Sequence, residues 1–330
     1  MPTAANKNPP ILAVDIGGTK VAAGLVDAHS ELLLNTRTPM VAKDTAEQGL
    51  QAVFHAIDKV LHHRLAKKVR AIGVSVPGWV DSQKGILVGA ANLPCWKNYP
   101  LAKNISRHYK FPVKLGNDGN TAALAEAAWG AGKSYKNIFY VTLGTGIGTG
   151  IILNRRLYDG RTGAASEGGH VTIDFRGPEC PCGKRGCIEI YASGPAIARR
   201  ARQRLSEQAT RSAILQLANN SLDHVSTEIV SKAAKSGDSL AREVLEESAD
   251  HLSIWLGNMI DLLEPDIIVI GGGIAHLMLQ QLPRIRQQLT QWSINPRHQE
   301  IPIVEAHYGP ESALLGAAAL CLPASRLWER

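Results

Sequence analysis

After a polar, proline-rich start, apolar runs alternate with tight turns. Ile11–Val14, Val21–Val26 and Glu31–Arg37 predict three successive strands. Over Thr45–Leu65 the period changes. Leu50, Val53, Ile57, Val60 and Leu61 recur at three- and four-residue spacing, which predicts a helix with one apolar stripe. His55, His62 and His63 then read as surface residues of that helix. Val69–Val76 predicts a buried strand, Leu101–Tyr109 a helix, Val113–Leu115 a strand, and the alanine-rich stretch running to Glu126 another helix. Farther along, Ala196–Leu205, Ser226–Lys235 and Ser239–Leu263 predict helices, the last stopped by Pro265. Asp266–Ile270 and Ile301–Val304 predict strands, and Ser312–Leu322 a closing helix. Strands and helices in alternation predict an α/β protein.

One pattern occurs twice. Ile11–Val26 and Ile138–Leu153 each hold an apolar strand, a Gly/Thr turn and a second apolar strand, and they align over sixteen residues without a gap. A duplicated unit of this kind predicts two similar domains facing each other, with their glycine turns meeting across a cleft. Backbone N–H groups from two such turns suit a row of phosphates.

Length and charge add bounds. A chain of 330 residues is long enough for two cores. Its hydrophobic content of 45% is that of a folded protein, not a disordered one. Residues 1–10 have no apolar h-region and read as a frayed tail, not a leader. No apolar run has the length of a membrane span, and cysteines grouped as a metal site in a chain without a secretion signal lead to an expectation of a reducing cytoplasm. The net charge of +7 is dispersed among acids, as over Arg199–Glu207, which favours a solvated basic surface over a nucleic-acid stripe.

The chemistry-bearing stretch runs from Glu167 to Glu189. It holds His170, Cys180, Cys182 and Cys187, so three of the five cysteines fall within eight residues. One imidazole and three thiolates match tetrahedral zinc, and a filled set of four marks a structural ion with no open position for a reactive water. Elsewhere, Asp15-Ile16-Gly17-Gly18-Thr19-Lys20 forms the first turn, with Asp15 placed to hold magnesium through water. Its second copy centres on Gly144-Thr145-Gly146. Ser75, Pro77 and Gly78 sit in a loop at a strand C-terminus, where α/β proteins place ligands, and Asn92 lies in a second loop. Gly271-Gly272-Gly273 follows a strand and can pack a flat base against bare backbone. Asn117 and Asp118 precede a helix, and either can serve as its N-cap.

The run E-G-G-H at 167–170 followed by C-x-C-G-x-x-G-C-x-E at 180–189 resembles the signature of the ROK family of sugar kinases and repressors. The resemblance spans the chain after Pro10 and implies an actin-like ATPase (ribonuclease-H-like) fold, two similar domains around a central cleft. Residues 11–117 with 311–330 would form the smaller domain and 118–310 the larger, zinc-bearing one. It implies an ATP-dependent kinase acting on the 6-hydroxyl of a hexose, most simply glucose. N-acetylmannosamine or N-acetylglucosamine kinase is the alternative, and polyphosphate is an alternative donor. A sugar-responsive repressor is the other class, but its helix-turn-helix would have to fit ahead of Ile11. On this resemblance Asp118 is the base. Ser75, Pro77, Gly78, Asn92, Asn117, Glu167, His170 and Glu189 hold sugar. Asp15, Gly17, Gly18, Thr19, Lys20, Gly144, Thr145, Gly146 and Gly271, Gly272 and Gly273 hold ATP with Mg2+. The sequence departs from the family at Gly116, often Glu, and Gly119, often Ala, which implies a looser loop beside Asp118. A homodimer, or a dimer of dimers, is expected.

Overall fold

The computed structural model describes residues 9–40, 45–207, 211–323 and Leu327. Of the tail expected at 1–10, residues 1–8 lie outside the described residues. In chain order, β1 (Ile11–Ile16), β2 (Lys20–Val26) and β3 (Leu32–Pro39) form an antiparallel meander, followed by α1 (Ala46–Leu61). Then come β4 (Ile72–Val76), β5 (Trp79–Asp81), β6 (Ile86–Gly89), α2 (Leu101–Tyr109), β7 (Val113–Asn117) and α3 (Asp118–Ala128). The first sheet has the order β3-β2-β1-β4-β7, with β1, β4 and β7 parallel.

The second copy of the pattern begins with β8 (Ile138–Leu143), β9 (Ile147–Leu153) and β10 (Arg156–Leu157). After the cysteine segment come α4 (Glu189–Ala192), α5 (Gly194–Glu207), α6 (Ala213–Leu217), α7 (Thr227–Lys235) and α8 (Ser239–Leu263). β11 (Ile267–Gly271), α9 (Ala275–Gln280), α10 (Leu282–Trp292), β12 (Ile303–Glu305) and α11 (Ser312–Leu320) complete the chain. The second sheet has the order β10-β9-β8-β11-β12. Both sheets are thus mixed and five-stranded, and each contains one copy of the duplicated pattern.

Local chemistry explains the ends of these elements. Thr45 caps α1 by accepting from the Gln48 N–H at 3.2 Å. The helix predicted to Leu65 stops at Leu61, where the His62 ring takes the Asp58 carbonyl at 2.6 Å and a separate 3-10 turn begins at Arg64. The stripe residues Val53, Ile57 and Val60 are fully buried against Val14, Val21 and Leu25 of the sheet. Asp238 caps α8 through the Ala241 N–H at 2.8 Å.

The chain divides into two compact units. One is residues 1–140, 150–166 and 306–330, and the other is residues 141–149 and 167–305. The division expected at 117/118 therefore moves. Helix α3 belongs with the first unit because it packs against α11, whose Gly316 approaches so closely that a Cβ there would lie 1.7 Å from the Thr121 carbonyl oxygen. Among the described residues no helix is long and apolar enough to cross a membrane.

Candidate active site

In the first unit the candidate residues gather at the C-terminal ends of the parallel strands. Asp15 is the penultimate residue of β1, Ser75 lies beside it on β4, and Gly116 lies beside Ser75 on β7. Ser75 is fully buried. Its hydroxyl accepts from Thr121 Oγ1 at 3.1 Å and hydrogen-bonds the Asp15 carboxylate. Ser75, expected to touch a sugar, is a buried support of the Asp15 carboxylate. Burial pushes the Asp15 pKa up to about 6, and the nearby Asp118 charge adds to the rise. The Ser75 hydroxyl, Lys20 and Arg37 pull the other way.

The first turn is closed by the Gly17 N–H donating to the Lys20 carbonyl at 2.8 Å. The Met40 N–H donates to the Thr19 carbonyl at 2.9 Å, and Asn92 packs directly over Gly18. Gly78 has a φ of +89°, a left-handed value that glycine alone adopts without strain. Its carbonyl accepts from Asn117 Nδ2 at 2.9 Å, so the Pro77-Gly78 bend is tied to the start of α3.

The cap of α3 is Asn117. Its Oδ1 accepts from the N–H groups of Gly119 at 2.9 Å and Asn120 at 3.3 Å. Asp118 is the first helical residue, exposed, with Oδ1 accepting from the adjacent Gly119 N–H at 2.9 Å. Enough protein surrounds its carboxylate for lost hydration to raise its pKa above the ordinary value, partly offset by that N–H. The residue is exposed, so a ligand can reach it.

In the second unit the second turn is closed by the Gly144 N–H donating to the Gly146 carbonyl at 3.0 Å. Glu189 reaches this turn from α4 and accepts the Ile147 N–H at 2.9 Å. The three-glycine loop arrives from the other side, where the Ile274 N–H donates to the Leu143 carbonyl at 3.1 Å. Gly144–Gly146 and Gly271–Gly273 are thereby brought together. Gly168 is pinned on both of its peptide groups. Its N–H donates to Thr149 Oγ1 at 2.9 Å, and its carbonyl accepts from Trp255 Nε1 at 3.0 Å. This fixes Glu167 and His170 on either side of it in one 3-10 turn.

The ligand atoms of His170, Cys180, Cys182 and Cys187 all lie within 4.8 Å of one another. Cys182 Sγ and Cys187 Sγ are 3.7 Å apart, as are Cys180 Sγ and His170 Nδ1. Zn–S bonds of about 2.3 Å in a tetrahedron place two sulfurs roughly 3.8 Å apart. The donor set fits zinc in number, type and spacing. Because Nδ1 faces the thiols, Nε2 of His170 is left for another partner.

Sequence reading missed Thr121, Thr149 and Glu126. Glu126 is fully buried and accepts N–H groups from Ala131 at 2.8 Å, His307 at 3.0 Å and Tyr308 at 2.7 Å, clamping the segment that leads into α11. A lone carboxylate in an alanine-rich helix was its one visible signal.

The ROK family model matches residues 11–323. A glucokinase of Streptomyces coelicolor is 32% identical over 311 residues, covering 94% of this chain and 96% of that protein. Among solved structures, a ROK family glucokinase from Streptomyces griseus in complex with glucose and AMPPNP is 33% identical, with a TM-score of 0.79 over 94% of this chain and 98% of that one. A ROK family transcriptional regulator, homologous to the E. coli MLC protein, superposes with a TM-score of 0.86 at 27% identity, covering 98% of this chain and 79% of its own.

Proposed function

The chain belongs to the ROK family and has its actin-like ATPase fold, and on that premise we propose that it transfers the terminal phosphate of ATP to the 6-hydroxyl of glucose. The observation that carries this reading is the division of labour at the start of α3. Asn117 takes the helix cap, which leaves the exposed carboxylate of Asp118 for a substrate proton.

In this reading Asp118 accepts the proton of the 6-hydroxyl as that oxygen attacks the terminal phosphorus and ADP departs. Phosphoryl transfer is governed by positioning and charge neutralisation. Gly17, Gly18, Thr19, Lys20 and Gly144–Gly146 offer N–H groups, a hydroxyl and one cation to phosphates. Gly271–Gly273 provide a flat backbone surface for the adenine nucleoside. Asp15, oriented by Ser75, would hold Mg2+ through water, which supplies further charge neutralisation. Asn92, Asn117, Glu167, His170 and Glu189 orient the remaining sugar hydroxyls. Zinc held by His170, Cys180, Cys182 and Cys187 would be structural. It would fix the His170 tautomer with Nε2 facing the sugar.

The test is coupled ADP release with glucose, mannose, fructose, N-acetylglucosamine and N-acetylmannosamine. Glucose is expected to give the highest kcat/KM. A preference for an N-acetylhexosamine would replace the substrate. No ADP release with any sugar would overturn the kinase.

A further inference from the structure

One row of side chains on the first sheet has a charge at its end that the site described above does not use. Strand registers place Arg37, Ala22, Asp15, Ser75 and Gly116 in a line across β3, β2, β1, β4 and β7. Residues in such a line project from one face of a sheet. Toward β7 the face is closed, since Ser75 is buried and bonded to Thr121 of α3. Toward β3 it is open. Ala22 carries only a methyl group, so nothing bulky stands between Asp15 and Arg37, whose backbones lie two strands, roughly 10 Å, apart.

A small cavity opens over that end of the row. Asp15, Lys20, Ala22 and Arg37 line it, together with Glu311 from the start of α11. Asp15 experiences the positive charge of both Lys20 and Arg37. Arg37 is exposed and makes no hydrogen bond or ion pair among the described residues. An arginine that the fold does not use therefore sits beside the carboxylate assigned to magnesium and beside the phosphate turn.

We propose that Arg37, together with Lys20, binds the terminal phosphates of the phosphoryl donor. The proposal rests on the kinase reading of the same site. A guanidinium presents two parallel N–H donors that match two phosphate oxygens, which an ammonium cannot do. Asp15 and Glu311 would otherwise repel a triphosphate. The two cations on the same cavity offset that repulsion and add charge where the transferred group needs it. The ligand chemistry is a run of phosphates, whether on a nucleoside or as free polyphosphate.

The experiment titrates AMPPNP with Mg2+, tripolyphosphate and AMP separately into the wild-type chain, Arg37→Gln and Arg37→Lys, by calorimetry, with thermal melts as a control for folding. A charge-assisted hydrogen bond lost from a phosphate is expected to weaken AMPPNP binding about tenfold or more in Arg37→Gln. AMP binding should stay within about twofold, because it lacks the terminal phosphates. Arg37→Lys should recover part of the loss. Weakening of tripolyphosphate alongside AMPPNP supports a site that reads phosphate alone, while weakening of AMPPNP alone supports one that reads the nucleoside triphosphate. Equal AMPPNP affinity in wild type and Arg37→Gln overturns the role of Arg37 and leaves the kinase standing. Equal losses of AMP and AMPPNP overturn it as well. A wild-type chain that binds neither AMPPNP nor tripolyphosphate overturns the proposal and the kinase reading together.

Discussion

The two glycine turns share a backbone plan and differ in where their charge comes from. Ile11–Val26 and Ile138–Leu153 align position for position, so Asp15 and Lys20 of the first correspond to Thr142 and Ile147 of the second. The first turn carries its own carboxylate and cation, and Ser75 on the neighbouring strand orients the carboxylate. The second turn has neither. Its carboxylate is Glu189, delivered by α4 to the Ile147 N–H, two residues beyond the cluster ligand Cys187. Duplication preserved the hairpin while charge arrived by two routes, one within the strand and one through the cysteine segment. Disturbing the cluster should therefore be felt at the second turn and at Glu167 and His170 before it is felt at Asp15.

The largest expected effect lies outside both turns, at Asp118, and serves as the reference for them. Asp118→Asn should lower kcat by roughly 10²–10⁴-fold with little change in the KM for glucose. The melting temperature should hold, because Asn117 is the cap and remains in place. Steady-state kinetics and a thermal melt check both. Near-normal turnover in a folded variant would remove Asp118 from the chemistry.

Breaking the second turn comes next. Cys182→Ser, or removal of metal by a chelator, should lower the melting temperature and raise the KM for hexose about tenfold. The KM for ATP should change less, because only part of its phosphate contacts, those of Gly144–Gly146, lie in the same unit as the cluster, while Asp15, Lys20 and the first turn belong to the other. Metal analysis of the wild-type protein should find one zinc per chain. Equal changes in both KM values would erase the contrast between the turns.

The smallest effect sharpens the first turn. Because the folded-state pKa of Asp15 is raised to about 6, the native protein holds its proton after the unfolded chain has lost it. The native state then binds more protons across about pH 4–6, so this group makes stability fall as pH rises through that window and then level off. Asp15→Asn should remove that slope and raise the melting temperature at pH 7 by about 2–4 °C. Melts at pH 4.5 and 7 test the sign. A variant less stable than wild type at pH 7 would contradict it.

Much of this was legible where the deciding contacts are local. Leu101–Tyr109 and Ser239–Leu263 run as their periodicity predicts, and both copies of the strand-turn-strand pattern form hairpins. The grouping of His170 with Cys180, Cys182 and Cys187 was legible because the three cysteines lie within eight residues. What was hidden depends on contacts remote in sequence. The allegiance of α3 is set by α11, nearly two hundred residues later, so no local signal placed the boundary. Ser75 reads as a loop residue, and only its pairing with Asp15 and Thr121 shows it to be buried support. The hairpin of β5 and β6 escaped because Trp79–Asp81 and Ile86–Gly89 are too short to show a period. The helical stretch after Gly273 divides at Gln281, ahead of Pro283, which ends one helix and opens the next.

The proposed reaction moves a phosphate from ATP to the 6-hydroxyl of glucose. The most direct measurement is phosphorus NMR of wild-type protein with ATP, Mg2+ and glucose, followed until the terminal phosphate has moved. ADP and glucose 6-phosphate are expected in equal amounts, with negligible inorganic phosphate. ADP accompanied only by inorganic phosphate, or phosphate on another hydroxyl of glucose, would contradict it.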